Sequence, residues 1–392
     1  MWDCSLEKMV NNFPPLVFIP LILFLFFLMH YLTFIVLVFR GLKKLKPVSI
    51  ETLPHEFVSI IIPFRNEEEN IITSLNSMES QTYPNEKFEV IYVNDSSEDN
   101  SLVLLTKHVK KNNIRILTVP KDYSMNANKK RAVRFGIENA KGQIIVTTDA
   151  DCTHNKEWLI FLLQYFDSLT GFVSGPVEFN YEKTMFSMFQ QLEFAGLVLC
   201  GAGLIGAGHP IICNAANIAY RKKVFDEVGG FRDQLNLSSG DDELLMQKIA
   251  KDSDFKVKFC INKRAIVKTD SNKTIGDFYQ QRKRWASKGL FYSDKSLVLK
   301  LILIYLFYVG LITQVIFSFL IHPIFLLSFI VSIGLKLFFE YWVLLKGKKI
   351  IFKDLELNYF LLAAIIQIPY IVFAGIVGAF GNYLWKERKI KR

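Results

Sequence analysis

The stretch VSIIIPFRNEE, residues 58–68, decides the fold. It opens with a short run of β-branched apolar residues closed by Pro63, which is typical of a buried strand. Comparable runs follow at residues 90–93, 114–119 and 144–146. Because near-continuous apolar strands alternate with helical segments, the sequence predicts a mostly parallel α/β sheet covered by helices on both faces.

A helix is predicted between the first two strands, over residues 67–81. Its apolar residues recur at helical spacing, three glutamates lie in its first turn, and Asn66 is the candidate N-cap. The apolar positions are Ile71, Ile72, Leu75 and Met78.

Polar residues directly follow three of the predicted strands: Asn66 and Glu67, then Asp95, then the triplet Asp149-Ala150-Asp151. In open parallel sheets, ligands bind beyond the carboxyl ends of the strands. The sequence therefore predicts that these groups meet in one crevice. It contains neither GxGxxG nor GxxxxGK[ST], so dinucleotide and P-loop functions lose their usual support.

Apolar residues concentrate near both ends of the chain. The protein has 392 residues, of which 51% are hydrophobic, and its mean hydropathy is +0.24. Residues 13–39 carry no charge and predict a retained membrane anchor, since the run is too long for a signal peptide and lacks a basic region before it. Arg40, Lys43, Lys44 and Lys46 follow, which places the next domain in the cytoplasm.

A second apolar block, residues 297–345, is long enough for two spans joined at His322-Pro323. The last block, residues 359–384, has two interpretations. A single crossing would leave the basic tail outside, against the charge bias; alternatively Pro369 and nearby glycines break the block into a re-entrant hairpin.

The predicted division of the chain is an N-terminal anchor with its basic stop (1–47), a cytoplasmic catalytic domain (48–294) and a C-terminal membrane region with a basic tail (295–392). The net charge is +10, and the basic residues cluster beside apolar spans, where they can bind anionic lipid headgroups. No nucleic-acid partner is therefore expected. The five cysteines form no metal-binding spacing.

Two apolar segments remain ambiguous. Residues 192–207 include Glu193 and are short for a span, so they predict either a buried core helix or a segment that dips into the membrane interface. Lys336 and Glu340 lie one turn apart within a predicted span. They form either a functional pair or a structural pair near the cytoplasmic end.

Taken together, the motifs at residues 60–68, 93–99, 149–151, 214–221, 241–242 and 281–285 resemble the inverting family 2 glycosyltransferases. That family includes cellulose, chitin, hyaluronan and poly-N-acetylglucosamine synthases and ceramide glucosyltransferases. The resemblance implies a GT-A-like fold and a transfer of sugar from a UDP-sugar with Mg²⁺ or Mn²⁺ as cofactor.

The resemblance also assigns roles within the donor site. Asp151 and Asp149 would hold the metal, with Asp149 also toward the ribose or diphosphate, and Asp95 would contact the base. Lys129 lacks the glycine that usually precedes it in the family, so an exposed basic turn is an equal alternative there. The full predicted nucleotide-sugar site comprises Glu67, Asp95, Lys129, Asp149, Asp151, Asn217, Gln281 and Arg284.

Asp242 is the candidate general base, with Asp241 as its neighbour where the family usually has glutamate. A positioned carboxylate can deprotonate the acceptor hydroxyl and accelerate transfer by about 10²- to 10⁴-fold. Asp242 is also placed to cap the helix that follows. Arg284 would pair with the leaving diphosphate, and Trp285 would stack on the acceptor, although a basic helix at a membrane surface has the same composition.

We therefore expect a membrane glycosyltransferase of the cell envelope whose partners are a UDP-sugar, a membrane and a hydroxyl acceptor. The acceptor is either a growing polysaccharide or a lipid or lipid-linked saccharide. A hypothesis of another class is a membrane scaffold or transport component without enzymatic activity. Sequence alone leaves the sugar, the linkage and the oligomeric state open.

Overall fold

A computed structural model describes residues 15–48, 56–123, 128–232, 242–286, 292, 294–380, 383–385 and 388–390. The central sheet has seven strands in the order β3-β2-β1-β4-β8-β6-β9. Six of them run in one direction and β8 runs against them, since it is antiparallel to both of its neighbours. The strands are β1 (Val58–Phe64), β2 (Phe88–Asn94), β3 (Ile114–Thr118), β4 (Ile144–Thr147), β6 (Thr170–Ser174), β8 (Ile218–Arg221) and β9 (Lys256–Phe259).

The four predicted strands are confirmed, and the sheet is mostly parallel as expected. β1 and β2 are buried over almost their whole length, because helices cover both faces of the sheet. A smaller sheet has the order β5-β10-β7, and a two-stranded pair lies near the C-terminus. Their strands are β5 (Thr153–His154), β7 (Val177–Phe179), β10 (Val267–Thr269), β11 (Tyr383–Trp385) and β12 (Arg388–Ile390).

Within the part of the chain that the structure describes, seven shorter α-helices surround the sheets and five longer ones contain the apolar segments. The shorter helices are α2 (Ile71–Glu79), α3 (Ser101–His108), α4 (Asn128–Glu138), α5 (Trp158–Leu163), α7 (Lys222–Glu227), α8 (Glu243–Asp252) and α9 (Ile275–Ala286). The longer helices are α1 (Pro15–Lys44), α6 (Met185–Gly206), α10 (Lys295–Leu320), α11 (Ile324–Ile350) and α12 (Phe360–Phe380).

The predicted capping of α2 by Asn66 is wrong. The helix begins at Ile71 with Asn70 at the N-cap, and no side chain caps it. Asn66 instead has a left-handed backbone, with φ of 51°, and its side-chain oxygen accepts a hydrogen bond from the backbone N–H of Glu98. The asparagine therefore joins the loop after β1 to the loop after β2.

Five helices in the described residues, namely α1, α6, α10, α11 and α12, are long and apolar enough to cross a membrane. We call them the membrane-length helices. The predicted turn at His322-Pro323 is confirmed, since α10 ends at Leu320 and α11 begins at Ile324. α6 differs from the other four: it is buried over 61% of its most apolar stretch, against 17% to 28% for the others.

α6 connects the strands of the two larger sheets to the other membrane-length helices. It packs against α1 through glycines that let the two backbones approach closely. A Cβ added at Gly203 would lie 2.5 Å from the carbonyl oxygen of Val38, and one added at Gly41 would overlap the carbonyl oxygen of Gly203. Neither position has room for a side chain.

The pair Lys336 and Glu340 is the centre of a polar cluster between membrane-length helices. Lys336 is fully buried on α11, and its Nζ lies 2.8 Å from Glu340 Oε2 and 3.1 Å from Gln367 Oε1 on α12. Tyr31 of α1 donates a hydrogen bond to the same glutamate. The cluster thus joins three helices, and this placement favours the structural interpretation of the pair.

The last apolar block is one unbroken helix, α12, with Pro369 inside it. The continuous helix excludes the re-entrant hairpin, which was one of the two interpretations left open by the sequence. α12 lies beside α6 and α9: Tyr370 contacts the rings of Phe189 on α6 and Phe278 on α9. β11, which follows α12 in sequence, also contacts α9. Neither sequence interpretation predicted this arrangement.

Replacing Gly41 with alanine should destabilise the protein, because the new methyl group meets the backbone of α6 and overpacking costs about 1 to 3 kcal/mol. Gly334→Ala on α11 is the matched control, since no atom from the rest of the described chain, apart from the backbone of its own helix and its sequence neighbours, lies within 4 Å of its added Cβ. Thermal unfolding in detergent should show a lower midpoint for Gly41→Ala and an equal or higher one for Gly334→Ala. Equal midpoints for Gly41→Ala and the parent protein would contradict the close contact.

Candidate active site

The carboxyl ends of β1, β2 and β4 form a cavity of about 130 Å³. Six of the predicted site residues line it: Glu67, Asp95, Lys129, Asp149, Asp151 and Arg284. The first five follow strands or begin helices at this edge of the sheet, whereas Arg284 comes from α9 more than 130 residues further along the chain. The tertiary fold thus adds the positively charged Arg284 to the crevice that the sequence predicts at the ends of the strands.

Arg65 fixes the two loops that border this cavity. Its Nη1 donates to the backbone carbonyl oxygens of Asp95 at 3.0 Å and Ser96 at 2.6 Å, and its Nη2 pairs with Glu98. Asn66 and Ser96, which directly follow residues of this cavity, both have positive φ, 51° and 60°. Such backbone angles are costly and persist only where the surroundings impose them, which is common at functional sites.

Two acids of the cavity are paired with cations from α4. Arg131 Nη2 lies 2.9 Å from Asp95 Oδ1, and Lys129 forms an ion pair with Asp149. Sequence reasoning singled out Lys129 but missed Arg131. The sequence around Lys129 and Arg131 indicated these pairs only weakly, because consecutive basic residues on a helix are equally typical of a solvent-exposed surface.

The loop that carries Asp149 and Asp151 is anchored by His154. The imidazole Nε2 hydrogen-bonds with Thr148 Oγ1 at 2.8 Å, and Nδ1 with Ser77 Oγ at 3.1 Å. Burial lowers the pKa of His154 to about 3, so the ring is neutral at physiological pH. Asp149 and Asp151 therefore lie on a loop whose following residue His154 is held by hydrogen bonds, and Asp151 is exposed.

A second cavity of about 430 Å³ adjoins the first. Lys129, Asp149, Asp151 and Arg284 line both cavities. The larger one is also lined by Asp242, Gln281 and Trp285, so the structure brings all but one of the described candidate residues to these two spaces.

Asn217 is the exception. It is fully buried, its Nδ2 donates to the carbonyl oxygens of Pro176 and Ala265, and its Oδ1 accepts from the Trp158 indole. It lines neither cavity. Its backbone carbonyl accepts from the N–H of Gly175, which does line the larger cavity, so Asn217 supports the wall from behind.

Asp242 is held in the wall of the larger cavity by two backbone groups. Its Oδ1 accepts from the N–H of Glu243 at 2.8 Å, and its Oδ2 accepts from the N–H of Ala215 at 2.9 Å. The first of these bonds caps α8, so the predicted capping role is present. A carboxylate oxygen can accept more than one hydrogen bond, so these two backbone contacts do not by themselves prevent Asp242 from accepting a proton. Asp241 lies outside the described residues.

α9 presents Gln281, Arg284 and Trp285 to the larger cavity. Trp285 also stacks on Phe194 of α6, with ring centres 6.0 Å apart, and the Arg282 guanidinium lies 4.2 Å from its ring centre. Both contacts compete with a sugar ring for the faces of the indole.

A buried ion pair holds α9 in this position, and sequence reasoning missed it. Arg282 and Glu193, each 4% exposed, form a two-bond pair between α9 and α6. Tyr370 of α12 donates to the same glutamate. Glu193 inside an apolar run was the available signal, because a charge in such a run needs a buried partner.

The described residues of the site suit a hard divalent cation bound together with a diphosphate. Mg²⁺ commonly binds proteins through one or two carboxylates and completes its shell with phosphate oxygens and water. Asp149 and Asp151 supply two carboxylates, and among the residues that the structure describes no group of three or more histidine, cysteine or acidic side chains is arranged to hold a metal ion. The donor set therefore fits a metal shared with a ligand.

Residues 59–229 match the sequence profile of glycosyl transferase family 2. These residues form a family 2 glycosyltransferase domain. The match spans the strands and loops that build the small cavity and includes Asp95, Lys129, Asp149 and Asp151. Asp242, Gln281, Arg284 and Trp285 lie beyond it.

Two curated relatives have glycosyltransferase names. Glycosyltransferase AglE of Haloferax volcanii is 32% identical over 193 residues, which is 48% of this chain and 60% of the relative. A poly-beta-1,6-N-acetyl-D-glucosamine synthase of Staphylococcus epidermidis is 23% identical over 284 residues, covering 70% of this chain and 64% of the relative. The chain thus spans less than two thirds of the length of either one.

Among solved structures, the mannosyltransferase PcManGT from Pyrobaculum calidifontis, in complex with GDP-Man and Mn²⁺, superposes with a TM-score of 0.56 at 17% identity. The match covers 92% of this chain and 98% of that one. The family 2 domain and the membrane-length helices therefore share an overall fold with this transferase, which confirms the expected GT-A-like architecture.

Acidification should destabilise the glycosyltransferase domain, because His154 is neutral when buried and takes up a proton when the domain unfolds. Its folded pKa of about 3 lies below the ordinary 6.5, so the unfolded state binds more protons and stability falls as the pH drops below 6.5. Between pH 7 and pH 5 this one group should cost about 2 kcal/mol. Denaturant unfolding at both pH values should show a smaller difference for His154→Gln than for the parent or for the exposed control His108→Gln. Equal differences in all three proteins would exclude this role.

Arg282→Lys should reduce glycosyl transfer at least tenfold, because lysine keeps the charge but cannot make the two-bond contact that fixes α9. Arg264→Lys is the control, since Arg264 forms an exposed pair with Glu157. Initial rates and melting curves of both variants would be measured. A fall in rate with little change in melting indicates positioning of the cavity residues, whereas parent-like rates for Arg282→Lys would refute it.

Proposed function

We propose that this protein transfers a sugar from a UDP-sugar to a hydroxyl of a polysaccharide or lipid-linked acceptor, with inversion and with help from Mg²⁺ or Mn²⁺. The main support for this proposal is a wall that the two cavities share: Lys129, Asp149, Asp151 and Arg284 line both of them. A diphosphate held at that wall would have its nucleoside in the small cavity and its sugar in the large one. We also propose that the site faces the cytoplasm at the plasma (inner) membrane.

The small cavity suits the nucleoside end of the donor. Asp95 is 3% exposed and held by Arg131, so its carboxylate has a fixed orientation toward a base. Glu67 lines the same space beside it. Asp151 and Asp149 would hold the divalent ion, whose positive charge, when it is bound, offsets the charge of the diphosphate.

The larger cavity suits the transfer step. A hydroxyl of the acceptor attacks the anomeric carbon on the face opposite the diphosphate, a new carbon–oxygen bond forms, and the bond to the phosphate oxygen breaks. Asp242 accepts the hydroxyl proton, and its two backbone donors keep it oriented for this. Arg284 and Lys129 lie where negative charge grows on the leaving diphosphate, and such preorganised charge lowers the barrier.

Two observations favour an enzyme over a membrane scaffold. The acids and cations of the site are paired or hydrogen-bonded around open cavities, and strained backbone is retained beside them. The name of the Staphylococcus relative, a polysaccharide synthase, supports sugar transfer as the reaction. A scaffold would have no need for this arrangement.

Asp242→Asn should lower the rate of transfer by about 10²- to 10⁴-fold, because an amide cannot take up the proton. The assay would follow radiolabel from a panel of UDP- and GDP-sugars, with and without EDTA, in membranes that contain the full chain. Asp252→Asn, at the exposed far end of the same helix, is the matched control.

Asparagine also replaces one of two oxygens that accept backbone N–H groups, so melting curves and donor binding of the Asp242 variant are needed beside the rates. Unchanged transfer by a folded Asp242→Asn protein would remove the proton-acceptor role. Full activity in EDTA would exclude the metal, and absence of transfer from every donor by the parent protein would favour the scaffold.

A further inference from the structure

The larger cavity is lined by both polar and apolar groups. The polar groups include acids, amides and Arg284, and one stretch of α6 contributes an apolar wall of Phe194, Leu197, Val198 and Gly201. A saccharide chain has hydroxyls along its whole length, and those facing such a wall would lose their hydrogen bonds to water without replacement. The wall suits a hydrocarbon.

The opposite side of α6 places this cavity at the level of the lipid headgroups. Gly203 and Gly206 contact α1 at Val38 and Gly41, and Leu199 contacts α11 at Gly347. Those contacts lie in the last turns of α1 and α11, next to Arg40, Lys43, Lys44, Lys346, Lys348 and Lys349. Basic residues that flank apolar helices lie at the headgroups.

Exposed apolar side chains mark the edge of the site near the same helices. Met185 and Ile275, the first residues of α6 and α9, are 62% and 74% exposed, and Phe373 of α12, which contacts Tyr279 of α9, is 57% exposed. Exposed large apolar side chains on helices that line the cavity or pack beside it favour contact with lipid rather than with water.

We infer that the acceptor is amphiphilic: its hydroxyl-bearing head enters the larger cavity, and its hydrocarbon lies along the α6 wall and continues into the bilayer. This inference rests on the proposed function and narrows its acceptor to the lipid-linked class. The head would remain at headgroup depth during transfer, so the acceptor would not have to leave the membrane.

The test uses the full chain in phosphatidylglycerol vesicles with radiolabelled donor and alkyl glucosides of increasing chain length as acceptors. KM should fall as the alkyl chain lengthens. Partitioning into the vesicles alone also lowers KM, so a variant of the wall is needed. Leu197→Asn should raise the KM for the longest glucoside about tenfold more than that for the shortest. Leu169→Asn, at an exposed leucine that is not among the lining residues of the cavity, should change neither.

In membranes from the expression host, the label should move into the organic phase on solvent extraction. Label in a water-soluble ladder of oligomers would overturn the lipid acceptor and leave the transferase function standing. An equal effect of Leu197→Asn on all chain lengths would also overturn it. Absence of transfer from any donor to any acceptor would overturn both the transferase function and this inference.

Discussion

The close contact between α1 and α6 fixes the sheet-bearing part of the molecule against the other membrane-length helices. Because Gly41 and Gly203 carry no side chains, two helix backbones meet, and the catalytic sheet is attached to the membrane-length helices through α6. α6 has different neighbours on its two sides, with α1 and α11 on one and the larger cavity on the other. The depth of the site relative to the membrane-length helices is therefore set by a helix contact and does not depend on a flexible tether.

The polar side of the site is ordered by loops that constrain one another. Arg65 joins the loops after β1 and β2, His154 anchors the loop after β4, and Arg131 and Lys129 reach across from α4. Glu193, Arg282 and Tyr370 then connect α6, α9 and α12, so the cavity residues of α9 depend on a helix from the C-terminal region. Charges buried at this junction are costly unless they are paired, which makes the junction specific for one arrangement.

Much of the polar side was predictable because local patterns specify it. Apolar runs identified β1, β2, β3 and β4, and the carboxyl ends of parallel strands had to bring Glu67, Asp95, Asp149 and Asp151 to one edge. The predictions failed where a side chain serves a distant partner. Asn66 looks like a helix cap but ties two loops together, and Asn217 looks like a ligand contact but supports a wall. Arg131 and Arg282 resembled surface charges, since nothing near them in sequence indicates Asp95 or Glu193.

Local patterns specify the class of the fold, the apolar segments and the family 2 motifs, because strand and helix periodicity and short motifs are properties of neighbouring residues. Long-range contacts were needed to show that α6 lies between the cavity and the other membrane-length helices, that Arg284 joins the strand-end acids, and that α12 packs beside α6 and α9. Each of these results depends on contacts between segments far apart in sequence, such as Gly41 with Gly203 and Tyr370 with Glu193. Side-chain packing and the pairing of buried charges select those contacts, and neither produces a repeating pattern that can be recognised in the sequence.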